Sequence, residues 1–295
     1  MKKAGLLNYI PLLMATPSIM IGTVAMYTNE VPPFICAQNV FYLIIAGLIS
    51  YFVISKESKV KKNASTISIL IAVIFLLLTF INSGIEGVHR WTSVGPIKFY
   101  VAVIVLPIIM INLWQLLQIK SWWVSSISTM VISILLVLQP DASMLTAFAI
   151  PMLILLWSKT NNIFISCTVV LLFALIIFSW VFLDKLPPVS YVEGIVRLVA
   201  NMGMIWIILG VISLAILPLP FIFFSPKEYK LLSFSIGIYF IIILISTLLG
   251  NFPVPLMGYG VSPIIGYFIS ITWLVKSKIN TQFSESAHQS HIYDV

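Results

Sequence analysis

Charge is what this sequence has least of. Asp, Glu, Lys and Arg together make 8% of its 295 residues, where a soluble domain carries roughly 25%. It has two arginines, Arg90 and Arg197, and nine acidic residues. So few charges cannot cover a water-facing surface, and a soluble globular fold is excluded. Cysteine is nearly absent too. Cys36 stands near the start of one apolar run and Cys167 inside another, and the topology below turns them toward opposite faces, which argues against a disulfide. The sequence also lacks a Walker loop, GxGxxG, HExxH and any internal repeat.

What is present is apolar. Hydrophobic residues make 60% of the chain and mean hydropathy is +1.11. A helix needs about 20 mostly apolar residues to span a bilayer. Ten such segments can be drawn, at about 6–28, 33–55, 66–82, 98–118, 122–139, 142–158, 162–183, 193–217, 231–249 and 261–275. The expected fold class is an all-α polytopic membrane protein. The first segment follows Lys2 and Lys3 like a signal peptide, but it runs on through Tyr27 without a small-residue cleavage site and reads as a retained anchor.

The net charge of +7 does not describe a nucleic-acid surface, because the lysines are scattered through short loops. Lys2 and Lys3, then Lys56, Lys59, Lys61 and Lys62, then Lys120, Lys159, Lys227 with Lys230, and Lys276 with Lys278 occupy every second gap. The other gaps hold Arg90, Lys98, Lys185 and Arg197 among Glu30, Glu86, Asp141, Asp184 and Glu193. By the positive-inside rule both termini are cytoplasmic and the second set of gaps faces outward. Residues 281–295, polar and without apolar period, read as a flexible cytoplasmic tail. There, the spacing of His288 and His291 would also suit a shared metal.

Three polar clusters fall on the outward side. Residues 84–98, GIEGVHRWTSVGPIK, gather Glu86, His89, Arg90 and Trp91. They read either as a re-entrant or interfacial loop, with Trp91 at headgroup depth, or as an anion site where a guanidinium grips phosphate beside an aromatic wall. Leu138-Gln139-Pro140-Asp141 ends one helix and puts Asp141 where it caps the next, with a catalytic or cation-binding role as the alternative. Residues 251–263, NFPVPLMGYGVSP, suggest irregular backbone at membrane depth, which must be buried in protein or line a cavity. Tyr259 is its polar tip.

In this order the clusters resemble the FtsW/RodA/SpoVE family, the SEDS proteins of shape, elongation, division and sporulation. Gly87-Val88-His89-Arg90-Trp91 with Val94-Gly95-Pro96 is similar to the family's Gly-Ala-x-Arg-Trp-Ile-x-Leu-Gly signature. Leu138-Gln139-Pro140-Asp141 matches its Leu-x-Gln-Pro-Asp. Pro253-Val254-Pro255 and Gly258-Tyr259-Gly260-Val261-Ser262 resemble its Pro-x-Pro-Phe-x-Ser-Tyr-Gly-Gly-Ser, and Gln38 sits where the family has an Arg-Gln pair. The resemblance implies a single SEDS-like domain over residues 1–280, in the bacterial cytoplasmic membrane. It also implies handling of undecaprenyl-linked peptidoglycan precursor, and a class B penicillin-binding protein or another wall-synthesis membrane protein as partner. No resident cofactor or metal is expected, although a divalent cation would be compatible with diphosphate chemistry.

The departures bear on activity. The family's long outer loop ends in Leu-Pro-Glu-x-His-Thr-Asp-Phe, whose aspartate is thought to be catalytic; here the loop is short and Val192 takes that position, with Glu193 beside it. The downstream Glu-Glu pair is Ala200-Asn201, and the Pro-Ser-Glu of the fourth helix is Val101-Ala102-Val103. If the chain polymerises precursor by glycosyl transfer, Glu193 and Asp141 are the acidic candidates. His89, Arg90, Trp91, Gln139, Arg197, Tyr259, Gly260 and Ser262 are then the substrate-binding candidates. Glu193 and Arg197 are also spaced for a local ion pair. A catalytically degenerate scaffold or regulator and a transporter of the lipid-linked precursor are the alternatives.

Overall fold

The computed structural model describes residues 6–56, 66–81, 84–95, 97–119, 122–160, 163–183 and 186–293. Lys2, Lys3, Lys59, Lys61, Lys62, Pro96, Lys120, Asp184 and Lys185, which entered the topology and motif reading, lie outside them.

Each apolar segment is helical. The first is α1 (Ile10–Leu13) and α2 (Thr16–Thr28), each opened by a proline (Pro11, Pro17) in its first turn, where the missing N–H costs nothing. Then come α3 (Pro33–Ser55) and α4 (Thr66–Leu78), and a two-stranded hairpin of β1 (Trp91–Val94) and β2 (Ile97–Tyr100). The central helices are α5 (Val101–Ile119), α6 (Trp122–Leu138), α7 (Ala142–Trp157) and α8 (Ile163–Val181). The chain closes with α9 (Ile195–Asn201), α10 (Met204–Ile216), α11 (Leu219–Phe223), α12 (Lys230–Leu249) and α13 (Val261–Tyr293). Helix is the expected outcome for uncharged apolar runs, since it satisfies every backbone group within the segment.

Burial sorts the helices into layers. The apolar stretch of α5 is 61% buried, whereas those of α3 and α8 are 22% and 28% buried. α5 packs against α4 and α13, and α7 packs against α12. The outer helices leave Phe34, Ile49, Phe52, Val170, Ile177 and Phe182 exposed, an apolar surface too extensive to stand in water. Among the described residues, six helical stretches are long and apolar enough to cross a membrane: Leu7–Thr28, Pro33–Ser55, Val101–Ile119, Ile163–Val181, Met204–Phe223 and Lys227–Leu249. The chain is an all-α polytopic membrane protein apart from its hairpin.

Three features differ from the sequence reading. The stretch read as a re-entrant or interfacial loop contains paired strands: Ile85 and Val88 exchange both backbone hydrogen bonds in a turn, and in β1 and β2 Trp91 pairs with Tyr100, Thr92 with Phe99, Ser93 with Lys98 and Val94 with Ile97. The β-branched and aromatic residues here favour a half-buried pleat. The segment at 193–217 is not one helix. Gly203, at φ +119 and ψ 172, separates α9 from α10, and that backbone region is essentially open to glycine alone. Lastly, the α13 backbone continues as helix to Tyr293, through most of the stretch whose polar composition reads as a tail.

Candidate functional site

The three polar clusters meet at one end of the bundle. β2 delivers Tyr100 to the start of α13, where its backbone N–H donates to Ser262 Oγ at 2.8 Å. The Tyr100 hydroxyl donates to Asp141 Oδ2 at 2.6 Å. Val101 N–H donates to the Arg90 carbonyl, which prolongs the hairpin ladder and turns Arg90 inward.

Arg90 and Asp141 form the centre of this junction. Arg90 is 1% exposed and Asp141 is fully buried, with Arg90 Nε 3.9 Å from Asp141 Oδ1. The guanidinium also donates through Nη2 to the Pro140 carbonyl, and it lies 5.2 Å from the centroid of Phe252 and 5.9 Å from that of Trp91. Asp141 caps α7 as its position in the sequence suggests, accepting from Met144 N–H at 3.2 Å. Removing two ions from water costs several kcal/mol each, about the scale that close geometry and further hydrogen bonds must offset. Pro140, Tyr100, Met144 and Phe252 provide that surrounding. The arrangement fastens the hairpin to the N-terminus of α7, and it keeps both charges away from solvent.

The other candidates are similarly engaged. Gln139 is buried and donates to Leu76 O at 3.0 Å and Thr79 Oγ1 at 2.9 Å, joining the end of α6 to that of α4. His89 stacks on Phe80 with centroids 5.3 Å apart, and Trp91 is half-buried against Tyr100. The Tyr259 hydroxyl donates to Gln38 Oε1 at 2.7 Å. Burial raises the Tyr259 phenol above its ordinary range, and nearby Tyr42 and Tyr191 act in the same direction. Gly260 N–H donates to Asn39 Oδ1 at 3.3 Å, while Asn39 Nδ2 donates to the Gly258 carbonyl at 3.2 Å.

Val192 and Glu193 lie on the flank of the same loop. Val254 N–H donates to the Val192 carbonyl, and Tyr259 N–H to that of Tyr191. Gly258 is required at this contact, since a Cβ there would come within 2.5 Å of Val192 O. Val192, where the resemblance places the family's aspartate, is thus at the junction. Glu193 accepts from Val189 N–H at 2.8 Å and so closes its own turn. Arg197 is exposed. A narrow crevice beside the junction is lined by Tyr100, Ser143, Phe252 and Pro253 among others, without Glu193.

Sequence reasoning missed Asn39, Tyr100 and Phe252. Asn39 was detectable, because a buried amide inside an apolar run is costly to keep and marks a role by default. Tyr100 and Phe252 carry no comparable signal, being ordinary aromatics in apolar surroundings.

No family model matches the sequence, nor does any curated protein sequence. Solved structures do match. Rod shape determining protein RodA from Thermus thermophilus aligns over 92% of this chain and 96% of its own, at a TM-score of 0.68 and 15% identity. A crystal structure of the same protein with one aspartate replaced by alanine aligns over 92% of this chain and 97% of its own, again at 0.68 and 15%. The chain has the RodA fold.

Proposed function

We propose that this chain is a SEDS-like protein of the bacterial cytoplasmic membrane that serves wall synthesis as a scaffold or regulator, keeping the fold and partner surface without polymerising precursor. The observation that carries this reading is the closed Arg90–Asp141 pair. Glycosyl transfer from a diphosphate donor needs a base for the acceptor hydroxyl and charge stabilisation for the leaving group. Asp141 is committed to Tyr100, Met144 and Arg90. Val192 has no proton to exchange, and Glu193 holds its own turn.

The RodA fold over nearly the whole chain supports a place among shape and wall proteins, and the three motifs in register support the same family. Undecaprenyl-linked precursor remains the lipid it would recognise, and a class B penicillin-binding protein the partner it would hold.

The test is reconstitution of the full chain with lipid-linked precursor, alone and with a class B penicillin-binding protein. The expected result is co-purification with the partner and no glycan made by this chain. Precursor-dependent polymer that disappears in Glu193→Gln would overturn the proposal in favour of a polymerase, and precursor movement across the bilayer without polymer would overturn it in favour of a transporter.

A further inference from the structure

At the opposite, lysine-bearing end of the bundle, α13 carries a row of buried polar atoms. Trp273 Nε1, Ser277 Oγ and Asn280 Nδ2 are enclosed and have no hydrogen-bond partner among the described residues. Their spacing of four and three residues places them on one helix face. Neighbouring polar groups on α13 are satisfied: Ser270 Oγ donates to Gly266 O at 2.8 Å, Thr272 Oγ1 to Ser50 Oγ at 2.7 Å and Thr281 Oγ1 to Ser277 O at 3.0 Å. Buried polar groups are nearly always paired. Three unpaired in a row, one of them on a serine with no exposed surface, indicate a polar occupant.

The chemistry of the row narrows that occupant. Indole and amide N–H groups donate, and a hydroxyl can do so. Lys278 Nζ lies 5.1 Å from the Phe224 ring centroid, and Lys276 Nζ donates to Val53 O at 3.0 Å. Tyr229 meets Trp273 edge to face at 5.9 Å, which brings the turn holding Lys227, Glu228 and Lys230 to this end of the helix. Four lysines against one carboxylate, around a row of donors, suit an anion rich in acceptor oxygens.

Length distinguishes the kinds of anion. Trp273 and Asn280 are separated by about 10 Å along the helix axis, more than one phosphate group bridges. A phospholipid headgroup with its ester carbonyls covers that span, and tryptophan and lysine are the residues that sit at those two depths. We propose that this face of α13, with the turn at 224–230, binds an anionic phospholipid. The Trp273 indole donates to an ester carbonyl, and Ser277 and Asn280 donate to the phosphate. The three atoms are closed off from water here, so lipid entry moves the 224–229 turn aside.

The experiment compares the melting temperature of the full chain in nanodiscs of phosphatidylcholine alone and of phosphatidylcholine with phosphatidylglycerol. Native mass spectrometry follows retained lipid in the same samples. The wild type is expected to melt higher with phosphatidylglycerol and to carry it. The Ser277→Ala/Asn280→Leu double variant is expected to lose at least half of that increment, while melting no lower in phosphatidylcholine alone, because it replaces unpaired buried groups with apolar ones. An undiminished increment in the double variant would overturn the site. If inorganic phosphate in phosphatidylcholine nanodiscs reproduced the increment, the lipid assignment would be overturned in favour of free phosphate. Should the double variant not fold, Trp273→Phe, which keeps a ring and deletes the N–H, is read in the same way with the same two outcomes.

Discussion

Arg90 Nε lies 3.9 Å from Asp141 Oδ1 with both side chains buried, although the two residues are separated by a hairpin and two helices in the chain. The contact turns the most conspicuous cation in the sequence from a candidate phosphate grip into a fastener between β1 and α7. Removing either partner leaves the other as an uncompensated buried charge. Arg90→Met and Asp141→Leu should each destabilise the protein by about 3–5 kcal/mol, measured as thermal unfolding in detergent. The Arg90→Met/Asp141→Leu double variant should recover a large part of that loss. If Arg90→Met melts like wild type, the pair is not structural.

Asn39 holds the 258–260 loop from both sides, accepting from Gly260 N–H and donating to the Gly258 carbonyl. Asn39→Leu leaves those groups unsatisfied and should cost about 1–3 kcal/mol. Hydrogen exchange at Gly260 should quicken at the same time. Unchanged exchange there would mean that Asn39 does not anchor the loop.

Gly203 separates α9 from α10 through a backbone conformation at φ +119. No neighbouring atom would obstruct a Cβ at this site, so any cost of Gly203→Ala comes from the backbone itself. That cost should be about 1–3 kcal/mol. A variant as stable as the wild type, or more so, would show that the helix break is not held in this conformation.

Tyr259 provides a pH dependence with a defined sign. Its phenol is raised by burial first and by Tyr42 and Tyr191 second. Both folded and unfolded states keep it neutral below the unfolded value near 10. Above that value the unfolded chain ionises first, so the stability tied to Tyr259 falls as pH rises from about 10 through the folded value. Melting curves between about pH 8 and about pH 11 should therefore fall less steeply for Tyr259→Phe than for wild type. Parallel curves would rule out this contribution.

The class of protein was readable from composition, and the helical segments from run length, because a bilayer selects on local apolarity and each helix satisfies its backbone alone. The Asp141 cap was legible for the same reason: it involves residues three apart on one helix. The hairpin of β1 and β2 was not, since its strands are short and pairing is decided by the partner strand. Nor was the break at Gly203, where a single glycine in an apolar run reads like any other. The sequence placed Arg90, Asp141, Val192 and Tyr259 in loops of one side. Only the tertiary structure decided that Arg90 faces Asp141, that Asn39 holds the last loop, and that Val192 meets Gly258 where the family resemblance places an aspartate. Those contacts join residues from distant parts of the chain, and burial converts them from exposed polar groups into partners that cannot be removed singly without cost.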